Sequence, residues 1–487
     1  MTPLRAQAPA DSSLSVDPAS GAADSSAEGH IIRRVDILPG AVFDPVGSSI
    51  LGGIESLGNR LHVRTRAETI RRQLLFEPGN RWSEARARET ARNLRALDYL
   101  DPRRVEGRLV GDSVDAVVQT RDLWTTTPRF DIASADGRGV GSIGLTERNL
   151  AGYGKSVSVF YRDDLSGKSW NFAYDDPNLV GRRERLHWFA GKGSEGASDQ
   201  VSVGLPFYSE RTVRAYWTGW GRSTFVNHLF SGGVETANFD ERAEHVELWY
   251  GGRLPDPGES GVPEENRPVR RLIGAFELLD RRLGPSRLLA GAPPSFAGEE
   301  ENIRIRQLTG ELTLWRPGFI ERRNIDRFDR VEDFDIGPQF ALKLGFAPRA
   351  LGSTEDEGVM RIRLAAGIAA PFGFGWVRTS ASSRFAPQSI ERIAELGANW
   401  YSPIRSSHTL ALAALGISGT NTPRDFQVVL GGLNGLRAYP INAVAGQRVW
   451  RLNAEERWRM SPPGWKLFIL GSAAFFDAGR AWGAGAE

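Results

Sequence analysis

Few side chains in this sequence of 487 residues are arranged for enzyme chemistry. The absence of cysteine removes thiol catalysis, disulfide bonds and thiolate metal sites. No two histidines lie at metal-ligand spacing within one predicted element; they are His30, His62, His187, His228, His245 and His408. Adjacent acids such as Asp163 and Asp164 point to opposite sides of a strand, so they cannot flank one bond. A nucleophile elbow and a glycine-rich phosphate loop are also missing. We therefore predict a protein that is not an enzyme and that uses no cofactor and no metal.

Composition and charge exclude further classes of protein. Lys and Arg number 61 and Asp and Glu 59, so the net charge of +2 gives no reason to expect nucleic acid as a partner. No stretch is predominantly apolar over the ~18 residues that identify a transmembrane helix. A spanning β-strand needs only about 9–11 residues of alternating polarity, so the sequence remains compatible with a membrane barrel.

The first part of the chain predicts a small α+β domain. Residues 1–29 are rich in Ser, Ala, Asp and Pro, and we expect them to form a disordered leader. A β-rich run at residues 31–37 is followed by two helical segments, the first opened by a capping box of Thr65 and Glu68 and the second by Ser83. A β-hairpin that turns at Gly111 completes the order β-α-α-β-β within residues 30–122.

From residue 123 to the end of the chain, the pattern is that of consecutive β-strands. About seventeen segments alternate between apolar and polar residues in the manner of strands with one apolar face. Residues 340–346 alternate Phe and Leu with Ala, Lys and Gly, and residues 360–364 alternate Met, Ile and Leu with two arginines. The fold class is therefore mainly β.

The polar face of these strands separates two interpretations. Alternating polarity fits a soluble β-sandwich and a membrane barrel equally well. The polar side carries charged residues in mid-strand, namely Arg304, Arg306, Lys343, Arg361 and Arg363. A lone charge buried in a protein core costs several kcal/mol, whereas a water-filled lumen accepts it. We predict an antiparallel transmembrane β-barrel in residues 123–487, and the sequence leaves open whether that barrel closes within this chain.

Several segments resemble the BamA/TamA outer-membrane assembly family, also called bacterial surface antigens. Residues 59–62 (NRLH) and 94–100 (LRALDYL) are similar to the helical part of the family's periplasmic POTRA domain. Residues 146–154 (TERNLAGYG) and 176–181 (DPNLVG) are similar to its early barrel hairpins. The most specific match is residues 431–440 (GGLNGLRAYP), which resemble the family's Val-Arg-Gly-Phe/Tyr loop, a long extracellular loop folded back into the lumen.

The resemblance implies a set of site residues around this loop: Arg437, Tyr439, Gly432, Gly435, Glu455 and Asp477. In the family the loop arginine pairs with acids on neighbouring strands, so Arg437 is expected to bind Glu455 and Asp477. A guanidinium that binds a carboxylate through two N–H groups fixes both angle and distance, which would make Arg437 a latch for the loop.

The residues themselves test this expectation in part. The alternation along residues 450–458 places Glu455 on the polar face, whereas the apolar neighbours of Asp477 leave its side open. Ala438 stands where the family has glycine, so a positive φ at that position would require a differently shaped loop tip. Plainer interpretations stay open: an exposed loop arginine at 437, a lumen-lining charge at 455 and a strand-end acid at 477.

The resemblance also implies location, partners and function. It places the protein in the bacterial outer membrane, in contact with membrane lipid, with the POTRA-like domain in the periplasm. The expected clients are unfolded outer-membrane or secreted polypeptides, and the POTRA-like domain could bind periplasmic or lipoprotein partners. The implied function is insertion and assembly of outer-membrane proteins, or translocation of a polypeptide or lipid. Two alternatives stay open, a passive outer-membrane channel and a soluble all-β enzyme or carbohydrate-binding protein.

Overall fold

A computed structural model of the protein describes residues 25–43, 59–60, 62–135, 138–164, 167–255, 267–327, 330–405, 407–432, 434–461 and 470–483. The first elements have the predicted order: β1 Ile31–Gly40, α1 Ala67–Arg71, α2 Glu84–Arg95, β2 Leu100–Val110 and β3 Ser113–Asp122. Strand β3 is central, pairing in parallel with β1 and antiparallel with β2. These elements are called the N-terminal unit below. Among the described residues, no helix combines the length and apolar content needed to cross a membrane.

The core of the N-terminal unit lies between its helices and one face of its sheet. Fully or almost fully buried apolar side chains fill it, including Ile32, Ile70, Trp82, Leu94 and Val118. The indole of Trp82 lies against Gly107 of β2, where a Cβ atom would come within 2.6 Å of the ring. A glycine is therefore required at this close approach between strand and core.

Two local predictions for this unit are wrong. Thr65 does not cap α1: the N-cap residue is Arg66, and the Thr65 hydroxyl accepts a hydrogen bond from Asn149 instead. Tertiary contact therefore overrides the local capping pattern. The predicted leader also extends too far, because Ala27 is fully buried in the core and Gly29 N donates to Trp82 O. Residues 1–24 of that leader lie outside the described residues.

The rest of the described chain is built almost wholly of strands. They are β4 Thr126–Ala135, β5 Arg138–Glu147, β6 Ser156–Asp164, β7 Gly167–Asp176, β8 Arg185–Gly193, β9 Gly196–Leu205, β10 Arg214–Ser231, β11 Val234–Arg253, β12 Val269–Leu283, β13 Arg287–Leu288, β14 Glu301–Trp315, β15 Phe319–Arg323, β16 Val331–Asp335, β17 Gln339–Ala347, β18 Glu357–Ala370, β19 Gly373–Phe385, β20 Ile390–Arg405, β21 His408–Thr420, β22 Val428–Leu430, β23 Val444–Gly446, β24 Arg448–Arg459 and β25 Gly471–Trp482. All except the hairpins β15–β16 and β22–β23 belong to one sheet.

This sheet has the strand order of a barrel. Within the described residues it contains eighteen strands, one of them the two-residue β13, and the first and last strands are neighbours in the order. Antiparallel ladders join each long strand to the next from β4 to β25. Because the long strands alternate in direction and are odd in number, β4 and β25 run the same way. These two strands are neighbours in the sheet and together form its seam.

The outer face of the sheet is apolar. In the ladder between β14 and β17, Leu308 is paired with Phe346, and both side chains are more than half exposed, as is that of Leu344. Exposed apolar side chains continue on this face from strand to strand, among them Val159, Trp188, Leu248, Leu396 and Leu452. A water-soluble protein rarely exposes an apolar surface of this extent.

The inner face carries paired charges. Lys343 Nζ lies 2.7 Å from Glu277 on β12, and the Arg363 guanidinium pairs with Glu311 on β14. The register places Arg361 on the same face. Two of the five predicted inner charges are placed wrongly by the sequence, however: Arg304 and Arg306 share the outer face with Leu308. They lie near the end of β14 remote from the N-terminal unit, where a strand of 15 residues can extend past an apolar belt that about 9–11 residues cross.

Candidate functional site

A long loop between β21 and β24 folds onto the inner face of the sheet. This lumen loop (residues 421–447) contains the β22–β23 hairpin. Leu430 and Leu436 of the loop are 2% exposed and pack on Val449 and Ala481, which lie on the inner face of β24 and β25. The chain turns sharply at Gly431 and Gly435, whose φ angles are +135° and +90°. Such angles favour glycine, so the glycines of this segment determine where the loop reverses.

Arg437 is bound by both predicted acids. Its Nε and Nη2 atoms donate to the two carboxylate oxygens of Asp477 at 2.9 and 2.8 Å, and its backbone N–H donates to Asp477 at 2.9 Å. Its Nη1 atom donates to Glu455. The guanidinium also lies 3.9 Å from the centre of the Phe475 ring. Asp477, whose side the sequence left open, therefore shares the inner face of the sheet with Glu455.

Asn453 and Arg451 complete the arrangement, and sequence reasoning did not select either of them. Asn453 Nδ2 donates to Asp477 at 2.6 Å and to the carbonyl oxygen of Gly435 at 2.7 Å, which ties the strand to the loop. Arg451 packs against Gly435 so closely that a Cβ atom there would lie 2.1 Å from Arg451 Nη1. Both residues share the parity of Glu455, and that parity is the signal that could have identified them.

The remaining predicted site residues shape the loop rather than bind the arginine. Gly432 N donates to the carbonyl oxygen of Tyr439, and Tyr439 N donates to that of Leu436. The side chain of Tyr439 is 54% exposed. Ala438 is not among the described residues with a positive φ, so alanine is tolerated at this tip without backbone strain.

The opposite end of the lumen loop is bound to strands far from Arg437. Gln427 exchanges two hydrogen bonds of 2.8 Å with the backbone of Phe230 on β10. Asp425 pairs at 2.6 Å with Arg281 of β12, which also pairs at 2.6 Å with the buried Glu241 of β11. The loop therefore contacts β10 and β12 as well as β24 and β25, which requires the sheet to curl around it.

A second segment reaches the inner face of the sheet, from the end that lies next to the N-terminal unit. This plug hairpin (residues 316–338) contains β15 and β16. Its Ile325 and Phe334 pack on Phe374, Tyr401 and Ala411 of the inner face, and the Phe334 and Phe374 rings are 4.8 Å apart. Nothing in its sequence distinguished this hairpin from the strands of the sheet.

The N-terminal unit docks on turns of the large sheet. Arg66 N donates to the carbonyl oxygen of Gly152 at 3.1 Å, and Arg92 pairs with Glu210 at 2.6 Å. Glu89 is 7% exposed and accepts a hydrogen bond of 2.6 Å from Glu210 N. Burial, together with the charge of Glu210, raises the pKa of Glu89 to about 7. A cavity of about 600 Å³ remains between α2, the plug hairpin and the rim of the sheet.

The arrangement around Arg437 positions the lumen loop on the inner face. A planar guanidinium held by two carboxylates fixes the loop in one orientation, and the shielded inner face strengthens the pairing. In the part of the chain that the structure describes, no three His, Asp or Glu side chains are grouped so as to hold a metal ion.

Comparison with known proteins gives structural similarities only. No protein-family model and no curated protein matches this sequence. The structure of BamA from Haemophilus ducreyi lacking POTRA domains 1–3 is 11% identical over 93% of this chain and 82% of that chain, with a TM-score of 0.38. CdiB from Escherichia coli is 10% identical over 92% and 77% of the two chains, with a TM-score of 0.42. The alcaligin outer-membrane receptor FauA from Bordetella pertussis is 10% identical over 75% and 64%, with a TM-score of 0.28. Because these sequence identities and TM-scores are low, the fold of this chain is defined by its own strand ladders and apolar outer face.

Proposed function

We propose that this protein is a bacterial outer-membrane barrel of the BamA/TamA kind that inserts or assembles outer-membrane proteins, or translocates a polypeptide or lipid. The single observation that carries the proposal is the binding of the loop arginine Arg437 to Glu455 and Asp477 on the inner face of the last two described strands. The apolar outer face supports a position in lipid, and the N-terminal unit then acts as a POTRA-like domain in the periplasm.

Two features suggest how a client polypeptide is handled. Strands β1 and β2 are the edges of the N-terminal sheet, and an edge can bind an extended client through backbone hydrogen bonds that tolerate many sequences. The seam between β4 and β25 is the second feature, because these strands run the same way, and a parallel pairing is slightly less stable per residue than the antiparallel ladders around it. In this mechanism the client strand forms at the seam while the Arg437 latch holds the lumen loop and the adjacent strands in register.

The rival functions make different predictions. A passive channel needs an open passage, whereas the lumen loop and the plug hairpin occupy the interior from opposite ends. A soluble all-β enzyme or carbohydrate-binding protein would be monomeric without detergent, which the apolar outer face disfavours.

The test is the variant Arg437→Ala in the full-length protein expressed in an outer membrane. An assembly machine should keep its heat-modifiable gel shift, which reports a folded barrel, and lose client insertion by about tenfold or more, since removing the two charged pairs frees the loop. The matched control is Arg282→Ala, which removes an exposed pair of 2.9 Å with Glu300 and should leave insertion unchanged. A variant that changes only ion conductance and keeps insertion would identify a channel instead.

A further inference from the structure

The plug hairpin is clamped to the N-terminal unit by charge. Arg95 of α2 lies 2.6 Å from Asp333 and 2.7 Å from Glu321, and the side chains of Arg95 and Asp333 are both 12% exposed. Arg327 lies 2.6 Å from Asp98, just beyond the end of α2. The partly buried Arg95–Asp333 pair resists separation more than a pair in open solvent, whereas the Arg327–Asp98 pair is about half exposed.

The tip of the same hairpin is bound to the inner face of β24. Arg457 Nη1 donates to the carbonyl oxygen of Ile325 at 3.0 Å and to Asp326 at 2.9 Å. Ile325 is 3% exposed within the apolar cluster that seats the hairpin. Because Asp326 and Arg327 are neighbours in sequence, one short segment binds both β24 and the N-terminal unit.

Glu455 connects this hairpin to the lumen loop. Its Oε1 atom accepts from Arg457 Nε at 2.6 Å, and its Oε2 atom accepts from Arg437 Nη1. One carboxylate oxygen therefore binds Arg457, which holds the plug hairpin, and the other binds Arg437 of the lumen loop. The connection runs from Asp98 to Arg327, along the chain to Asp326, and then through Arg457 and Glu455 to Arg437.

We propose that the plug hairpin couples the position of the N-terminal unit to the latch of the lumen loop. When the unit moves away from the sheet, the hairpin loses its clamp, its tip loosens from Arg457, and Glu455 holds Arg437 less tightly. Coupling of this kind is reciprocal, so releasing the loop also weakens the docking of the unit. The proposal deepens the proposed function, since it assigns regulation to the latch on which that function rests.

The chain contains no cysteine, so a single introduced thiol reports on the loop in the full-length protein. In the variant Leu436→Cys the thiol replaces a side chain that is 2% exposed, and a maleimide in lipid vesicles labels it only when the loop opens. Arg437→Ala in this background is the positive control. Arg327→Ala, far from the loop, is expected to raise the labelling rate by roughly threefold, and Arg457→Ala by at least as much. Arg282→Ala, which breaks a pair on the outer face, should leave the rate unchanged.

Two further measurements keep the proposal testable. The heat-modifiable gel shift verifies that each variant is folded. A second reporter, Thr69→Cys, replaces a side chain that is 1% exposed where the N-terminal unit contacts Gly152 of the large sheet, and reciprocity requires Arg437→Ala to raise its labelling rate too. Equal labelling rates in Arg327→Ala and the parent, with Arg437→Ala still raising the rate, would overturn the coupling. Neither readout involves a client, so that result leaves the proposed function standing, and a loss of client insertion alone leaves the coupling standing.

Discussion

Asp477 is the most heavily bonded carboxylate of the candidate site. It accepts hydrogen bonds from the backbone N–H, Nε and Nη2 of Arg437 and from Asn453, and its side chain is 1% exposed. A buried carboxylate is stable in an ionised form only when donors replace its water. Arg437 and Asn453 therefore stabilise the acid as much as the acid holds the loop.

The first prediction concerns Asp477→Asn, which keeps the shape but removes the charge and one acceptor. We expect a loss of about 2–3 kcal/mol in the free energy of unfolding, because Arg437 loses its bidentate partner and an amide N–H faces existing donors. Urea unfolding of the protein in lipid vesicles measures it. The control Asp199→Asn breaks an exposed pair with Arg222 and should change stability by no more than about 0.5 kcal/mol. Equal effects of the two substitutions would contradict the assigned role of Asp477.

The second prediction concerns Gly435→Ala. The new Cβ would lie 2.1 Å from Arg451 Nη1 at a residue whose φ is +90°, so both the strand contact and the backbone are strained. We expect a cost of about 1–3 kcal/mol and an exposed, protease-sensitive lumen loop. The control Gly416→Ala adds a methyl group where no heavy atom lies within 4 Å, so stability and protease sensitivity should not change. Equal proteolysis of the loop in both variants would show that the close packing at Gly435 does not hold the loop in place.

At the scale of elements, the docking of helix α2 on the turn before β10 depends on a carboxyl group with a shifted pKa. Glu89 is buried beside Glu210, and its pKa is raised to about 7, first by burial and then by the Glu210 charge. A raised pKa means that the protonated acid is favoured in the docked state. Its contribution is therefore complete below the ordinary pKa of 4.5 and is lost as the pH rises through about 7.

The third prediction follows from that sign. Glu89→Gln keeps an acceptor for Glu210 N but cannot ionise, so it should flatten the pH dependence of docking between pH 4.5 and about 7. Above pH 7 the variant should be more stable than the wild type by at most about 3 kcal/mol, and below pH 4.5 the two should converge. The thermal midpoint of the full chain as a function of pH measures this. Parallel pH profiles for the two proteins would show that Glu89 does not titrate in docking.

At the scale of the whole molecule, the two faces of the sheet define its environment. Apolar side chains point outward around the sheet, while charges such as Lys343 and Arg363 are paired inside. This is inverted relative to a water-soluble protein, in which apolar groups pack inside. The arrangement is stable when the exterior contacts hydrocarbon and the interior contacts water.

The fourth prediction tests this orientation with one pair of variants. Leu364 of β18 is 46% exposed on the outer face, and Ala365 is on the inner face. We expect Leu364→Arg to reduce assembly into the outer membrane, with a cost of about 2–4 kcal/mol for a cation in the hydrocarbon. Ala365→Arg, one residue further along, should assemble normally. The fraction of protein showing the heat-modifiable gel shift is the measurement, and equal assembly of the two variants would argue for a soluble fold.

Features that depend on near neighbours in the chain could be predicted from the amino-acid sequence. The β-α-α-β-β order was predicted because helical spacing and turn residues act over a few positions, although the cap predicted at Thr65 was wrong. Successive strand side chains always alternate in direction, which placed Lys343, Arg363 and Glu455 on the inner face before any pairing was known. The same rule failed for Arg304 and Arg306, because alternation gives a parity but not the length by which a strand extends beyond the membrane.

The contacts between groups that are distant in sequence could be seen only in the folded chain. Asp326 and Arg457 are 131 residues apart in sequence, and Arg95 and Asp333 are 238 apart. A loop charge can pair with any opposite charge that the curled sheet brings near, so no local pattern identifies its partner. The Arg437 contacts were predicted only through a resemblance to a family loop. The sequence did not predict the plug hairpin, the role of Asn453 or the contacts of Asp425 and Gln427, because these depend on how the sheet curls.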